Sequence, residues 1–312
     1  MTSGPRHLIS LWDLSTEAIE SIVERGRSFA SDPTAHPDVL RGKVIGVYFR
    51  KTSTRTRSAF SVGAMRLGAG VVAYGPDDLQ LNTGETVEDT ARVLSGMLDG
   101  LVARTSADPA ELRALADQPA MAVVNAMTAD EHPTQALADL TTLAQRFGGL
   151  RGLGCVYVGE GNNTASALAL ALSRFPGTSL ELRVPAGYGL APRTLDQARR
   201  LAAQNGATVV ERHDMEDLPA DADVVYTTRW QTTGTTKADP DWRSAFEPFR
   251  VDSRVLDRCP KAVFMHDLPA HRGEEVTARV LDGPRSIAFE QARNKLHSAM
   301  AVLEWSVADR TG

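Results

Sequence analysis

The sequence predicts an α/β fold of two domains, each a parallel sheet covered by helices. The chain has 312 residues, which is about the length of two average domains and is ample for buried cores. Short apolar runs typical of buried strands alternate with segments whose apolar residues recur at helical spacing. Such alternation is typical of parallel sheets with helices on both faces. A content of 42% hydrophobic and 23% charged residues is that of an ordinary folded protein.

Four strand candidates lie in the first half of the chain. Val44–Phe49 is a continuous apolar run, and Phe60, Ala64 and Leu67 recur at helical spacing after it. The remaining elements of this half are strands at 71–74, 101–104 and 121–125, a helix over about 86–98 and a helix after Pro133.

A second set of strand candidates follows a glycine-containing break at 147–149. These strands are at 155–158, 180–184, 208–211, 224–227 and 262–266, with helices between most of them. A last helix over about 286–307 has an apolar stripe on one face. We therefore expect two sheets of four or five strands. The predicted domains are 1–145 and 146–285, followed by the last helix within 286–312.

Charge and composition argue against several classes of protein. A net charge of −5 gives no bulk support for nucleic-acid binding. No apolar run approaches the roughly 20 residues of a membrane span, and the chain start lacks the pattern of an export signal. Cys155 and Cys259 are too few for a disulfide framework or a thiolate metal site. We therefore expect a cytoplasmic protein without a membrane partner.

Polar clusters fall where the predicted strands end, which is where ligands of parallel sheets bind. The segment from Ser53 to Arg57 combines three hydroxyls and two guanidinium groups at the start of a helix. Helix N-termini favour anions and Arg binds oxyanions in a two-pronged manner, so we expect a phosphate site. The alternative is a hydroxyl helix cap with two surface arginines. The Gly-x4-Gly-Lys-Ser/Thr pattern of a nucleotide P-loop is absent.

His132 precedes another helix, whose positive end disfavours a protonated imidazole. A neutral histidine there would donate a hydrogen bond to a carbonyl group, although a lone histidine is also a common structural hydrogen-bonding residue. Residues 159–163 have half of a dinucleotide fingerprint, but its third glycine is missing. A nicotinamide cofactor therefore has only weak support.

Three motifs together resemble the transcarbamoylase family, and most closely its ornithine carbamoyltransferase branch. They are the run Phe49–Arg57, the box His132-Pro133-Thr134-Gln135 and the run His266–Val276. The resemblance covers nearly the whole chain, from about Leu8 to Val307. It implies an enzyme that transfers the carbamoyl group of carbamoyl phosphate to a small amine. It also implies a homotrimer, or a multiple of trimers, with shared active sites. It further implies that the last helix crosses back, so that 286–312 joins the first domain.

The resemblance also assigns roles to individual residues. Those that would bind carbamoyl phosphate are Ser53, Thr54, Arg55, Thr56, Arg104, His132, Gln135 and Lys295, with Gln80 reaching into a neighbouring subunit's site. Those that would bind the acceptor are Asn125, Asn163, Thr228, Arg229, Gln231, Thr232, Asp267 and Leu268. Catalysis would involve Arg55, Thr56, Arg104, His132, Gln135 and Asp267. The leaving phosphate can take the amine proton, so we expect no metal and no cofactor.

The acceptor half departs from the ornithine branch. That branch usually has, at the position of Thr228, an Asp that grips the acceptor's α-ammonium. Arg229 and Gln231 instead resemble the aspartate branch, where such a pair holds a carboxylate. Asp267 replaces the usual Cys, as a base or as the ligand of a distal cation, and Lys295 replaces the usual Arg.

These departures predict an acceptor other than ornithine. We expect another diamino acid, or an amine of specialised metabolism, whose carboxylate meets Arg229. One alternative is a true ornithine carbamoyltransferase that makes citrulline and has drifted at these positions. A second is a catalytically silent binding or regulatory relative. A nicotinamide dehydrogenase is a weaker third, because it rests only on the glycines at 159 and 161.

Overall fold

The structure is a computed structural model, and it describes residues 5–232 and 235–308. Among these, residues 5–141 and 293–308 form one compact unit, and residues 142–292 form a second. The divisions fall inside helices, whereas the sequence placed them at the neighbouring chain breaks. Residues 1–4 and 309–312 of the predicted first domain, and 233–234 of the predicted second, lie outside the described part.

In the first unit, the four predicted strands form one four-stranded parallel sheet. Its elements are α1 (Thr16–Ser31), β1 (Val44–Phe49), α2 (Arg55–Arg66), β2 (Gly70–Tyr74), α3 (Val87–Ser95), β3 (Gly100–Arg104), α4 (Pro109–Ala116), β4 (Ala122–Met127) and α5 (Pro133–Phe147), the last of which continues into the second unit. The strand order is β2–β1–β3–β4. α1 and α4 add to the predicted elements, and α1 begins where the Ser15 hydroxyl accepts from the Ala18 amide.

The second unit contains a five-stranded parallel sheet. Its elements are β5 (Gly154–Val158), α6 (Asn163–Leu172), β6 (Ser179–Arg183), α7 (Pro192–Asn205), β7 (Thr208–Arg212), β8 (Val224–Thr227), α8 (Trp242–Phe246), α9 (Ser253–Arg258), β9 (Val263–His266) and α10 (Ala278–Leu281). The strand order is β7–β6–β5–β8–β9. All five predicted strands are present, and the predicted class of two parallel-sheet α/β domains is confirmed.

Burial explains why the strands could be recognised from the sequence. The central strands of both sheets are buried along almost their whole length, which requires continuous apolar runs. The edge strand β2 is exposed at several positions. Within the described residues, no helix is both long and apolar enough to cross a membrane. Cys155 and Cys259 are both buried and not joined in a disulfide.

The last helix, α11 (Ala288–Val307), packs on the first unit through its part after residue 292. Arg25 of α1 forms an ion pair with Glu304 at 2.7 Å. A Cβ atom on Gly63 of α2 would lie 3.2 Å from Cγ of Met300, so the glycine permits close packing of these two helices. The predicted return of the final helix to the first domain is confirmed.

Candidate active site

The predicted phosphate site lies at the N-terminus of α2. Thr54 occupies the N-cap position and is exposed, but its hydroxyl makes no capping hydrogen bond. Ser53 and Arg55 are half-buried, and Thr56 is buried in the first turn. An N-terminus without the usual hydroxyl cap, next to a guanidinium group, is the arrangement expected of an anion site. The geometry favours this interpretation over the hydroxyl-cap alternative.

Arg104 lies beside this N-terminus because β3 pairs with β1. In the parallel register Phe49 is opposite Arg104, so the two strands end together. Nη1 of Arg104 donates to Oγ of Ser53 at 3.4 Å, and the Arg104 side chain is largely buried. The structure therefore brings together two of the predicted carbamoyl phosphate ligands, although they are 51 positions apart in sequence.

His132 lies in a small enclosed cavity of the first unit. The cavity is lined by Thr56, Ala59, Phe60, His132, Thr134, Gln135, Lys295 and Ala299. Burial, followed by the charges of Lys295 and Arg104, holds the pKa of His132 well below its ordinary value, so the imidazole is neutral. Its Nδ1 is 3.3 Å from the Thr134 hydroxyl. When Nδ1 accepts from that hydroxyl, Nε2 carries the proton and is a hydrogen-bond donor.

Gln135 and Lys295 are in direct contact in the same cavity. Nζ of Lys295 donates to Oε1 of Gln135, and Nε2 of Gln135 donates to Oδ1 of Asp139 at 2.8 Å. Asp139 is fully buried and was not among the predicted site residues, although its spacing of four from Gln135 on α5 indicates a shared helix face. Arg293 is exposed, so Lys295 is the cation that the last helix brings to this cavity.

Glu131 immediately precedes His132 and is buried against the N-terminal segment. The Ser10 hydroxyl donates to Oε2 of Glu131, and the Leu11 amide donates to Oε1 at 2.8 Å. Burial outweighs these two bonds and raises the pKa of Glu131 to about 7.

Replacing Glu131 with Gln should therefore change how stability depends on pH. A carboxyl group whose pKa is raised in the folded state contributes fully to the stability of the fold at pH values below its unfolded pKa. That contribution is lost as the pH rises through the pKa of the folded state. Between about pH 5 and about pH 8, the free energy of unfolding of the wild type should fall by roughly 2–3 kcal/mol relative to that of Glu131→Gln. Urea unfolding of both proteins at the two pH values measures this. A difference that does not change with pH would contradict it.

Asn125 and Gln80 are further predicted residues of the first unit, and neither lines this cavity. Asn125 is fully buried, where its amide donates to the Ile9 carbonyl at 2.8 Å and its oxygen accepts from the Met127 amide at 2.9 Å. These bonds give it a structural task in the first unit, and its role in acceptor binding stays a prediction. Gln80 is exposed and accepts a hydrogen bond from the Thr83 hydroxyl. Its predicted role at a neighbouring subunit stays a prediction too.

Asp267, one of the predicted acceptor residues, lies in the second unit next to Thr228. β8 pairs with β9 so that Thr227 is opposite His266, and Thr228 and Asp267 are the residues that follow. The Thr228 hydroxyl lies 3.0 and 3.1 Å from the two carboxylate oxygens of Asp267. The hydroxyl of Thr164, in the first turn of α6, donates to Oδ2 at 3.0 Å. Thr164 was not predicted, and its place after the 160–163 cluster was the available signal.

His266 supports the Asp267 loop from below the surface. The Leu268 amide donates to Nδ1 of His266 at 2.8 Å, so Nε2 carries the proton and donates to Oε1 of Glu275 at 3.1 Å. The backbone of Leu268 is in the left-handed region, with φ +53°, a conformation that residues other than glycine rarely adopt.

His271, Glu274 and Glu275 form a cluster whose possible metal-ligand atoms lie within 4.8 Å of one another.

The remaining predicted acceptor residues follow the ends of β5 and β8. Asn163 is buried at the first position of α6, which the Asn162 side chain caps. Arg229 is partly exposed, and Gln231 donates to the Thr235 carbonyl at 2.6 Å. The Thr232 hydroxyl accepts from the Asn162 amide at 3.2 Å. The structure thus joins these two loops by hydrogen bonds, whereas the sequence showed only that both follow strands.

The glycine at 161 has a packing role. A Cβ atom there would lie 2.3 Å from the carbonyl carbon of Gly189 and 2.4 Å from the amide nitrogen of Leu190. Because both neighbours are backbone atoms, only glycine fits. Close approach of two loops therefore accounts for this glycine, which was the main support for a dinucleotide fingerprint.

Comparison with known protein families matches both halves of the chain. Residues 6–145 match the aspartate/ornithine carbamoyltransferase, carbamoyl-P binding domain, and residues 151–306 match the aspartate/ornithine carbamoyltransferase, Asp/Orn binding domain. The two matches together agree with the resemblance seen in the motifs.

Individual relatives are similar over nearly their full lengths. An ornithine carbamoyltransferase of Thermococcus kodakarensis is 39% identical over 301 residues, covering 96% of this chain and 95% of that protein. One from Symbiobacterium thermophilum is 40% identical, covering 96% of both. Among solved structures, the ornithine carbamoyltransferase from Pyrococcus furiosus superposes with a TM-score of 0.90 at 37% identity, covering 98% of both chains.

Proposed function

The chain belongs to the aspartate/ornithine carbamoyltransferase family and is a carbamoyltransferase, and we propose that its acceptor is ornithine, which it converts to citrulline. The named relatives at 39–40% identity are ornithine carbamoyltransferases, which favours this acceptor over the different amine expected from the sequence. The geometry around Asp267 supports the same acceptor, because a carboxylate still lies beside position 228.

The observation that carries the proposal is the contact between Thr228 and Asp267. The ornithine branch has its α-ammonium ligand at position 228 and a Cys at position 267. Here the acid is at 267, and the Thr228 hydroxyl is 3.0 Å from its carboxylate. The carboxylate has therefore moved to the adjacent strand end, and a negative charge still lies within hydrogen-bond reach of position 228. A compensated pair of this kind keeps a ligand for the α-ammonium of ornithine.

The residues of the first unit suit the carbamoyl phosphate half of the reaction. We assign the phosphate to the N-terminus of α2 and to Arg55, which neutralise its charge. The uncharged δ-amine attacks the carbamoyl carbon, the bond from that carbon to the phosphate oxygen breaks, and phosphate leaves with the amine proton. Arg104, neutral His132 and the Thr56 hydroxyl are the donors that we assign to the developing oxyanion.

We also propose a homotrimer. Five large apolar side chains among the described residues of the first unit are exposed: Trp12, Met65, Val72, Val93 and Met97. Val72 is on β2, an edge strand whose outer side is unpaired within the sheet described here. Exposed apolar residues with an open sheet edge favour association with further copies. A mass in sedimentation of three times the 33.6 kDa chain would support the trimer, and a monomer mass would contradict it.

The test of the acceptor is a panel of amines assayed for ureido product and for phosphate release. Ornithine, lysine, diaminobutyrate, diaminopropionate, putrescine and aspartate should be compared at saturating carbamoyl phosphate. We expect kcat/KM for ornithine to exceed every other by at least about tenfold, because a chain one methylene shorter or longer misplaces the amine. Faster turnover of another diamino acid would contradict the proposal. Carbamoyl phosphate binding without any turnover would favour a silent relative.

A further inference from the structure

Lys237 is held in a ring of aromatic side chains next to the candidate acceptor site. Its Nζ lies 4.9 Å from the ring centre of Tyr188, 5.2 Å from that of Trp242 and 5.1 Å from that of Phe246. Its side chain is 7% exposed, so most of its contact with water is lost. A desolvated ammonium surrounded by ring faces is a strong cation–π arrangement.

The same ammonium forms an ion pair with Glu160, in the loop that follows β5. Nζ of Lys237 contacts Oε1 of the carboxylate, and the Thr232 hydroxyl lies 3.4 Å from Oε2. The Asn162 amide in turn donates to Thr232 at 3.2 Å. Glu160 lies in the loop that precedes α6. It therefore connects that loop to both Thr232 and Lys237 of the segment that follows β8.

The two ends of that segment are fixed by apolar packing. Trp230 and Trp242 both pack on Phe246, with ring centres 5.8 and 5.5 Å away, and all three are buried. Between these ends, residues 235–240 are mostly exposed and polar, apart from Lys237. Among the described residues of this stretch, Lys237 thus forms an ion pair and ring contacts that tie it to the loop after β5 and to the aromatic cluster. Lysine is uncommon in this chain, with 5 among its 34 basic residues.

We propose that Lys237 is a positioning residue for acceptor binding. Its ammonium, held by the aromatic ring and the β5 loop, fixes residues 229–232 and 235–241 and so orients the Arg229 guanidinium and the Thr232 hydroxyl toward the acceptor's carboxylate. The inference rests on the proposed function in that these two groups are taken to bind the acceptor. It assigns Lys237 no contact with substrate.

The test compares Lys237→Met, which keeps the stem and removes the charge, with Lys237→Arg, which keeps a cation. In Lys237→Met we expect the KM for ornithine to rise at least about tenfold, with kcat/KM for carbamoyl phosphate within about threefold of wild type. Lys237→Arg should stay within about threefold for both substrates, because a guanidinium group can keep both the cation–π contacts and the ion pair with Glu160. Lys261→Met, the same change at an exposed lysine of the second unit, is the matched control and should behave as wild type.

Amide hydrogen exchange gives a readout that does not depend on the identity of the acceptor. Exchange at 229–232 and 235–241 should be faster in Lys237→Met than in wild type, with the strands of the sheet unchanged. If ornithine proves inactive but this exchange increases, the proposed function fails while the positioning role stands. Unchanged exchange and unchanged KM would overturn the inference. So would wild-type KM in the double variant Glu160→Gln, Lys237→Met, because Lys237 would then only neutralise Glu160.

Discussion

Asp267→Asn is expected to raise the KM for ornithine by about 100-fold, while the KM for carbamoyl phosphate stays within a few fold of wild type. The asparagine keeps the size of the side chain and can still bond Thr164 and Thr228, so the second unit should keep its structure. What is lost is the negative charge that we assign to the α-ammonium. A hydrogen bond between charged groups in a partly buried site contributes about 2–3 kcal/mol, which corresponds to a factor of 30–150.

The matched control for this prediction is the exchange variant Thr228→Asp, Asp267→Cys. It returns the two positions to the residues of the ornithine branch and keeps one carboxylate in the pair. Ornithine turnover should therefore recover to within about tenfold of wild type. Steady-state kinetics with ornithine varied at saturating carbamoyl phosphate distinguish the cases. If Asp267→Asn instead lowers kcat and removes a limb of the pH profile, Asp267 acts as a base and the assignment to the α-ammonium is wrong.

The sequence alone made the changes at 228 and 267 look like two independent departures. They are neighbours in space because β8 and β9 are adjacent, with Thr227 opposite His266. Local pattern reveals strands, but it does not reveal which strands pair or in what register. The sequence therefore counted two separate losses, whereas the proposed function treats the two changes as a single relocation of charge.

The same distinction separates what could be predicted in the first unit from what could not. The phosphate loop, the His132 box and the strands that precede them were recognisable, because buried parallel strands are continuous apolar runs. The contact of Lys295 with Gln135 depends on where the last helix docks, which spans 160 positions of sequence. Lys237 carried no signal at all, because an isolated lysine in a polar segment reads as a solvated side chain.

His132→Ala is expected to lower kcat by about 100- to 1,000-fold, with little change in the KM for ornithine. A neutral imidazole that donates to the developing oxyanion acts in the transition state, and loss of one such donor costs about 3–4 kcal/mol. Because His132 is buried, alanine leaves a void there, so we expect a lower melting temperature but a protein that still folds. Thermal unfolding and phosphate binding serve as controls. A variant that melts like wild type and keeps full kcat would contradict a catalytic role.

The protonation state of His132 supplies an independent test of the same prediction. Burial and the charges of Lys295 and Arg104 hold its pKa well below the ordinary value, so it should stay neutral across the pH range in which ordinary histidines titrate. Its imidazole resonance, identified as the one missing from the His132→Ala spectrum, should not move between about pH 6 and about pH 8. If it titrates there, an imidazolium is the donor. Activity would then fall as that proton is lost, because a neutral imidazole is a weaker hydrogen-bond donor to the oxyanion than an imidazolium.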